Sequence, residues 1–270
     1  PPIVLSCVRG STVFASSDLN ACAALVERGD PTRFLAVMAA PVQARQVLFA
    51  LFAFNLEVAR APWVTQQQML AEMRLQWWCD ALDEIAAQKP VRRHEVVTPL
   101  AALIDSQAAV LLRDLVTARR WDIYDEPFKN DAEFAHYIDC TSGHLLVVAT
   151  GILGRSDPQV VRDFAFSMGL SNWFRAVPQL LAQKRHPLLE LGSGSVRDLA
   201  EQGLKRLAMA RSNRSSISSK SGAALLCGWQ TESYLKEAFH HPERVLSGLQ
   251  GPRPFVSKAQ LLLQAATGRW

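Results

Sequence analysis

The sequence of 270 residues has no two cysteines in CxxC spacing, and its five cysteines (Cys7, Cys22, Cys79, Cys140 and Cys227) are scattered. An odd, dispersed set argues against a disulfide framework and for a reducing compartment. Long apolar runs are lacking as well. The longest, Leu145 to Leu153, is only about half of the ~20 residues that a spanning helix needs. The opening PPIVLSCVRGSTVFASSD has no basic segment leading into an apolar one, so no secretory signal is expected. No phosphate loop or dinucleotide fingerprint occurs. No stretch alternates apolar and polar residues well enough to predict a sheet. Neither sign of charge dominates: 29 Lys+Arg against 25 Asp+Glu leave +4. That is too little for a dedicated nucleic-acid binder, yet compatible with an anionic membrane surface or a phosphorylated ligand.

What is present is apolar and helical. Hydrophobic residues make up 49% of the chain, ample for a large core. Asp18 is placed to cap a helix through ACAALVERG, and Asp30-Pro31 restarts the chain into TRFLAVMAA. Pro41 opens a long apolar helix that ends before Pro62. Thr65 begins another, in which Met69, Met73, Trp77 and Leu82 or Ala81 form a stripe of helical period. Pro90 and Pro99 bracket a loop carrying Arg92, Arg93 and His94. Further helices fit 106–120, 131–153, 158–183, 195–211, 231–240 and 256–266. The segments 191–196 (LGSGSV) and 212–222 (Ser-rich) read as flexible, but neither separates two self-sufficient halves. The expectation is one all-α domain over 1–270, with an N-terminal arm at 1–16.

Several ordered motifs together resemble the squalene/phytoene synthase family. FLAVMAAPVQARQVLFALFAFN carries a small-residue and proline turn, Arg45 and the helix Leu51-Phe52-Ala53-Phe54, followed by EMRLQWWCDALDEI. Tyr137 to Gly143 is similar to the family's Tyr-Cys…Ala-Gly helix. Asn172-Trp173-Phe174-Arg175 is similar to its Asn-x-Leu-Arg segment, followed by Lys184, Arg185 and Pro187. The likeness runs from about Asp30 to Arg211. It implies an isoprenoid-synthase-like helical barrel with a central apolar cavity for prenyl chains. It also implies Mg²⁺ bridging a diphosphate to two aspartate-rich helices, because the leaving group's charge must be held by a divalent ion with hard oxygen ligands.

Those ligands are missing. The first aspartate cluster aligns with Ala59 and Arg60, its third acid with Trp63. The second aligns with Ala176-Val177-Pro178-Gln179-Leu180, and Pro178 predicts a bend or break there. Losing one electrostatic stabiliser typically costs ~10²–10³ in rate. Losing all of them, and the metal with them, is expected to abolish ionisation, so neither a metal nor a catalytic residue is expected. Glu57, Asp80, Asp83 and Glu84 are the nearby acids that could substitute, though the last three also fit a solvated helix face. With the acids gone, Arg45, Arg60, Asn172 and Arg175 are candidates to hold a phosphate, carboxylate or lipid headgroup directly.

Other clusters carry less. His136, Cys140 and His144 share a helix face at metal-ligand spacing, although a polar face with one small buried thiol is the simpler explanation of them. His240-His241 sits near a helix end. Lys205, Arg206, Arg211 and Arg214 form a basic run, a candidate partner or membrane surface if it is not merely solvated. Trp63, Trp173 and Trp270 lie near predicted ends or altered motifs, where exposed indoles would suit an interface.

Within the family, Phe174-Arg175-Ala176-Val177-Pro178 is most similar to a branch without the aspartates, the squalene/phytoene synthase-like assembly factors of respiratory complex I. That resemblance implies a non-catalytic accessory protein with complex I subunits, or another membrane complex, as partners and no nucleic acid. It implies a peripheral place on the cytoplasmic side of a bacterial inner membrane, or the mitochondrial matrix equivalent. Two other expectations remain: a prenyl transferase with displaced metal ligands, and a binder of prenyl lipid or quinone.

Overall fold

Asp30 shows how this sequence starts its helices: its carboxylate accepts the backbone N–H of Arg33 at 2.9 Å, with Pro31 at the first helical position. Asp105, Asn130, Asp157 and Ser218 repeat the device at four later starts. The computed structural model describes residues 16–65, 67–124, 126–190 and 192–270, and among them no strand occurs. The first helices are α1 (Ser16–Gly29), α2 (Pro31–Ala39), α3 (Val42–Arg60) and α4 (Gln68–Ala86). Then come α5 (Val97–Leu103), α6 (Ser106–Ala118), α7 (Asp131–Ile138), α8 (His144–Leu153) and α9 (Pro158–Ala182). The chain closes with α10 (Ser193–Ser212), α11 (Ser219–Leu225), α12 (Thr231–His240), α13 (Arg244–Ser247) and α14 (Pro254–Thr267).

Two helices are apolar nearly all round and are therefore buried on every side. In α3, every residue from Val47 to Asn55 is buried; in α9, the same holds from Phe164 to Ser171. Helix α3 packs on α1, α2, α5 and α8, whereas α9 packs on α8, α10, α12 and α13. Close approach depends on small side chains. Ser167 Oγ donates to the carbonyl of Gly203 at 2.7 Å, joining α9 to α10. A Cβ at Gly169 would lie 2.6 Å from Ser142 Oγ and 2.8 Å from Ile138 Cγ2. The π-helical turn Asp139–Gly143 joins α7 and α8 without a break, so the single helix expected over 131–153 holds with one extra-wide turn.

Several expectations need correction. Asp18 lies inside the first turn of α1 rather than before it, and its buried carboxylate accepts two bonds from Arg93, at 2.6 and 3.0 Å. Of the stripe expected on α4, Met69 and Met73 face outward, at 76% and 62% exposure, Trp77 is half-buried, and Ala81 and Leu82 are buried together with Ala71, Leu75, Trp78 and Ile85. Pro178 does not break α9, which continues to Ala182 with Val177 and Leu180 buried on either side. The hydrogen bond that a proline cannot donate is lost only in the last turns. The Ser-rich segment is not a flexible loop: α11 forms within it, Ser221 to Ala224 are buried, and the helix packs on α8. Helix α10 begins at Ser193, inside the other expected linker, 191–196. The arm expected at 1–16 lies outside the described residues except for Ser16, which opens α1.

The Gly169 contact gives a direct test. Gly169→Ala forces a methyl against Ser142 and Ile138, and overpacking of this kind costs ~1–3 kcal/mol. Chemical denaturation should show that loss, whereas Gly192→Ala, where a Cβ would meet nothing within 4 Å, should leave stability nearly unchanged.

Candidate functional site

Asn172 and Arg175, one turn apart on α9, meet Asp30 and Arg33 from the start of α2 and Tyr234 from α12. These side chains surround a polar cavity of about 20 Å³, room for about one water. Arg175 donates to Asn172 Oδ1 at 3.3 Å, and its guanidinium lies 4.8 Å from the Tyr234 ring centre. Arg33 pairs with Asp30 at 3.5 Å and sits 4.8 Å from the ring centre of Phe52. Each cation thus has an oxygen partner and an aromatic face. Arg33 and Tyr234 were not singled out in the sequence. Only Asp30-Pro31 hinted at them, as the start of a helix.

The other expected anion-binding residues stay apart from this cluster. Arg45 donates to the carbonyls of Ala40 at 3.2 Å and Met38 at 2.8 Å, closing the C-terminal end of α2. Arg60 is exposed and pairs with Glu57 at 3.5 Å, one turn earlier on α3, an interaction worth ~0–1 kcal/mol. Ala59 and Ala176 are half-buried, Gln179 is exposed and Leu180 is buried. Trp63 is 40% exposed, with Arg185 5.5 Å from its ring centre. Arg185 also donates to the carbonyls of Asp122, Ile123 and Tyr124, so the basic stretch after α9 fastens the turn that follows α6.

This donor set does not fit a divalent cation. Mg²⁺ needs several carboxylate or carbonyl oxygens in octahedral array. The aligned positions supply methyl groups, an indole, a guanidinium, one amide and one isobutyl group. The substitute acids are engaged elsewhere. Asp83 pairs with Arg113 at 2.8 Å, Glu84 with Arg92 at 2.6 Å, and Asp80 accepts from Gln76 at 2.7 Å. Among the described residues no group of three or more His, Cys, Asp or Glu is placed to hold a metal ion.

A second, larger opening lies between α6 and α7. It encloses about 570 Å³ and is lined mainly by carbon, with Trp121, Phe128 and Tyr137 forming an aromatic wall. Trp121 and Phe128 stack 4.1 Å apart and 5° from parallel. His136, Cys140 and His144 line it too. They do not converge on one point: Cys140 Sγ lies 3.5 Å from His136 Nε2, while His144 Nδ1 is held 3.1 Å from the Leu111 carbonyl. Beneath the wall, Tyr137 donates to Asp122 at 2.7 Å and Arg119 donates to the Tyr137 hydroxyl at 2.8 Å.

The basic run on α10 is partly consumed by internal contacts. Lys205 pairs with Glu201 at 2.9 Å, and Arg206 lies 4.1 Å from the Phe166 ring centre. Arg211 and Arg214 donate to the main-chain oxygen of Trp270 at 3.0 and 2.7 Å. Trp173 and Trp270 are buried, leaving Trp63 as the exposed member of the three indoles considered.

Residues 26–190 match the squalene/phytoene synthase family, well over half of the chain. The chain belongs to that family. The squalene/phytoene synthase fold is independently evident: a dehydrosqualene synthase superposes with a TM-score of 0.74 at 14% identity, over 93% of this chain and 96% of that one. The squalene synthase HpnC of Alicyclobacillus acidocaldarius superposes at 0.68, also at 14% identity, over 84% and 95%. In sequence, the chain is 26% identical to "NADH dehydrogenase (ubiquinone) complex I, assembly factor 6" of Bos taurus, over 86% of this chain and 77% of that one. It is 28% identical to the assembly factor 6 homolog of Drosophila melanogaster, over 63% of this chain and 53% of the relative's length. The Homo sapiens protein is 25% identical over 63% of this chain and 54% of its own length.

His144 gives the site region a pH dependence. Burial, reinforced by the charge of Arg162, pushes its imidazole below the usual histidine value. The unfolded chain therefore takes up the proton first, and stability is lost as pH falls below about 6.5. Thermal melting between pH 7.5 and 5.5 should show this slope, and His144→Gln should flatten it.

Proposed function

We propose that this chain is a non-catalytic member of the squalene/phytoene synthase family that serves as an assembly factor of respiratory complex I. It works peripherally at the membrane, on the cytoplasmic side of a bacterial inner membrane or in the mitochondrial matrix equivalent. One observation carries the loss of catalysis: Ala59, Arg60 and Trp63 on one side, and Ala176, Gln179 and Leu180 on the other, stand where the chemistry needs carboxylates. A prenyl transferase with displaced ligands would need acids gathered around one point, and the four candidate substitutes, Glu57, Asp80, Asp83 and Glu84, are already paired with arginine or glutamine. The assembly role is supported by the similarity to the assembly factors 6 across most of this chain. The peripheral reading is supported by a negative feature: among the described residues no helix is long and apolar enough to cross a membrane.

A second reading concerns a ligand rather than a reaction. The opening of about 570 Å³ behind Trp121 and Phe128 has the size and apolar lining of a small-molecule site. It favours a bound prenyl lipid or quinone, which is compatible with an assembly role.

Affinity capture of the tagged chain from detergent-solubilised native membranes tests the first proposal. Complex I subunits should be enriched in the eluate, and cells lacking the protein should contain less mature complex I. Capture without any complex I subunit, together with unchanged complex I in the deletion strain, would refute it. Mass spectrometry of organic extracts from the same eluate tests the second, through a stoichiometric prenyl lipid that Trp121→Ala should diminish.

A further inference from the structure

Helix α14 is built inside out. Its protein-facing side carries Ser257 and Leu261, both buried, with the half-buried Gln260, Gln264 and Ala265. Its outward side carries Phe255, Ala259, Leu262, Leu263 and Ala266, at the i, i+4, i+7, i+8 and i+11 spacing of one helical face. Phe255 is 85% exposed, Leu262 65% and Leu263 64%, while Val256 flanks them at 58%. Helix α2, against which α14 packs, adds the exposed Leu35 and Met38. An apolar face of this extent turned to the solvent side marks an interaction surface.

The charge pattern says which environment. From Arg244 to Trp270 the chain has four basic residues, Arg244, Arg253, Lys258 and Arg269, and no Asp or Glu. Arg253, Lys258 and Arg269 are exposed at the start, flank and end of the helix. Apolar residues in the middle with cations at the margins match a bilayer interface, where the apolar face enters the acyl boundary and the cations meet anionic headgroups. At 14 residues, α14 is about 21 Å long, suited to lying in the surface and too short to cross it.

We infer that α14 is the membrane-docking element of this protein, with its Phe255–Leu262–Leu263 face seated in an anionic phospholipid surface. This rests on the peripheral-membrane part of the proposed function and identifies the surface responsible. It differs from the α10 basic run, whose Arg211 and Arg214 hold Trp270.

Flotation of the full chain with phosphatidylcholine vesicles, with and without phosphatidylglycerol, tests it. The wild-type chain should float with the anionic vesicles, and less so at high salt. Phe255→Ser/Leu262→Gln/Leu263→Gln should lose more than about tenfold in lipid partitioning, since each removed apolar side chain contributes a tenfold step or more when buried. Its melting temperature should stay put, because all three side chains point away from the core. Arg253→Gln/Lys258→Gln should weaken binding to anionic vesicles alone. Equal flotation of the triple variant and wild type, or no flotation of the wild type, would overturn the inference. Capture of complex I subunits by the same variants separates the two claims. A triple variant that keeps its lipid binding but loses complex I would make this face a protein interface and also overturn the inference. A wild-type chain that floats but captures no complex I would leave the docking helix standing and defeat the assembly role.

Discussion

A divalent ion held between two helices needs opposed, hard, negatively charged oxygens, and this chain presents methyl, indole, guanidinium and isobutyl groups at the aligned positions on and beside α3 and α9. The rest of the functional reading follows from that. With no acidic pair to balance a metal, the cations near α9 are engaged by the protein's own side chains. Arg175 leans on Asn172 and Tyr234, and Arg33 on Asp30 and Phe52. The space they leave is about 20 Å³, far below the volume of a diphosphate with its ions.

The fold survives this change because its stability lies elsewhere. Helices α3 and α9 are held by apolar residues on all sides and by close approaches at Gly169 and Gly203. Of the aligned metal positions only Leu180 joins the buried core, with Ala176 packed beside it. Fold and chemistry are therefore separable here: the apolar frame persists while the site on it is rewritten. The same frame also offers surfaces, an aromatic-walled opening beside α7 and a C-terminal helix with an exposed apolar face.

Long helices announced themselves in the sequence, since α3 and α9 combine a start signal or strong period with enough turns to be read. Helices α5, α11 and α13 did not, because four to seven residues cannot show a period and their formation depends on tertiary packing. Helix α11 was the most misleading. SKSGAAL looks like a linker, yet its small residues are what allow it to sit tightly against α8. Helix α4 carries two apolar stripes, and composition alone could not say that Leu75 and Trp78 face inward while Met69 and Met73 do not. The absent carboxylates were readable at once, being a matter of residue type. The partners of Arg45 and Arg185 were not, because a backbone carbonyl leaves no trace in the sequence.

The central claim, that the rewritten site grips neither metal nor diphosphate, is tested most directly by electron paramagnetic resonance of Mn²⁺ titrated with the purified chain in the presence of farnesyl diphosphate. Mn²⁺ reports any site built for Mg²⁺, whether or not turnover occurs. The account predicts that the Mn²⁺ spectrum stays the same with and without protein at every ratio. Stoichiometric, diphosphate-dependent loss of the free Mn²⁺ signal, accompanied by release of inorganic diphosphate, would contradict it.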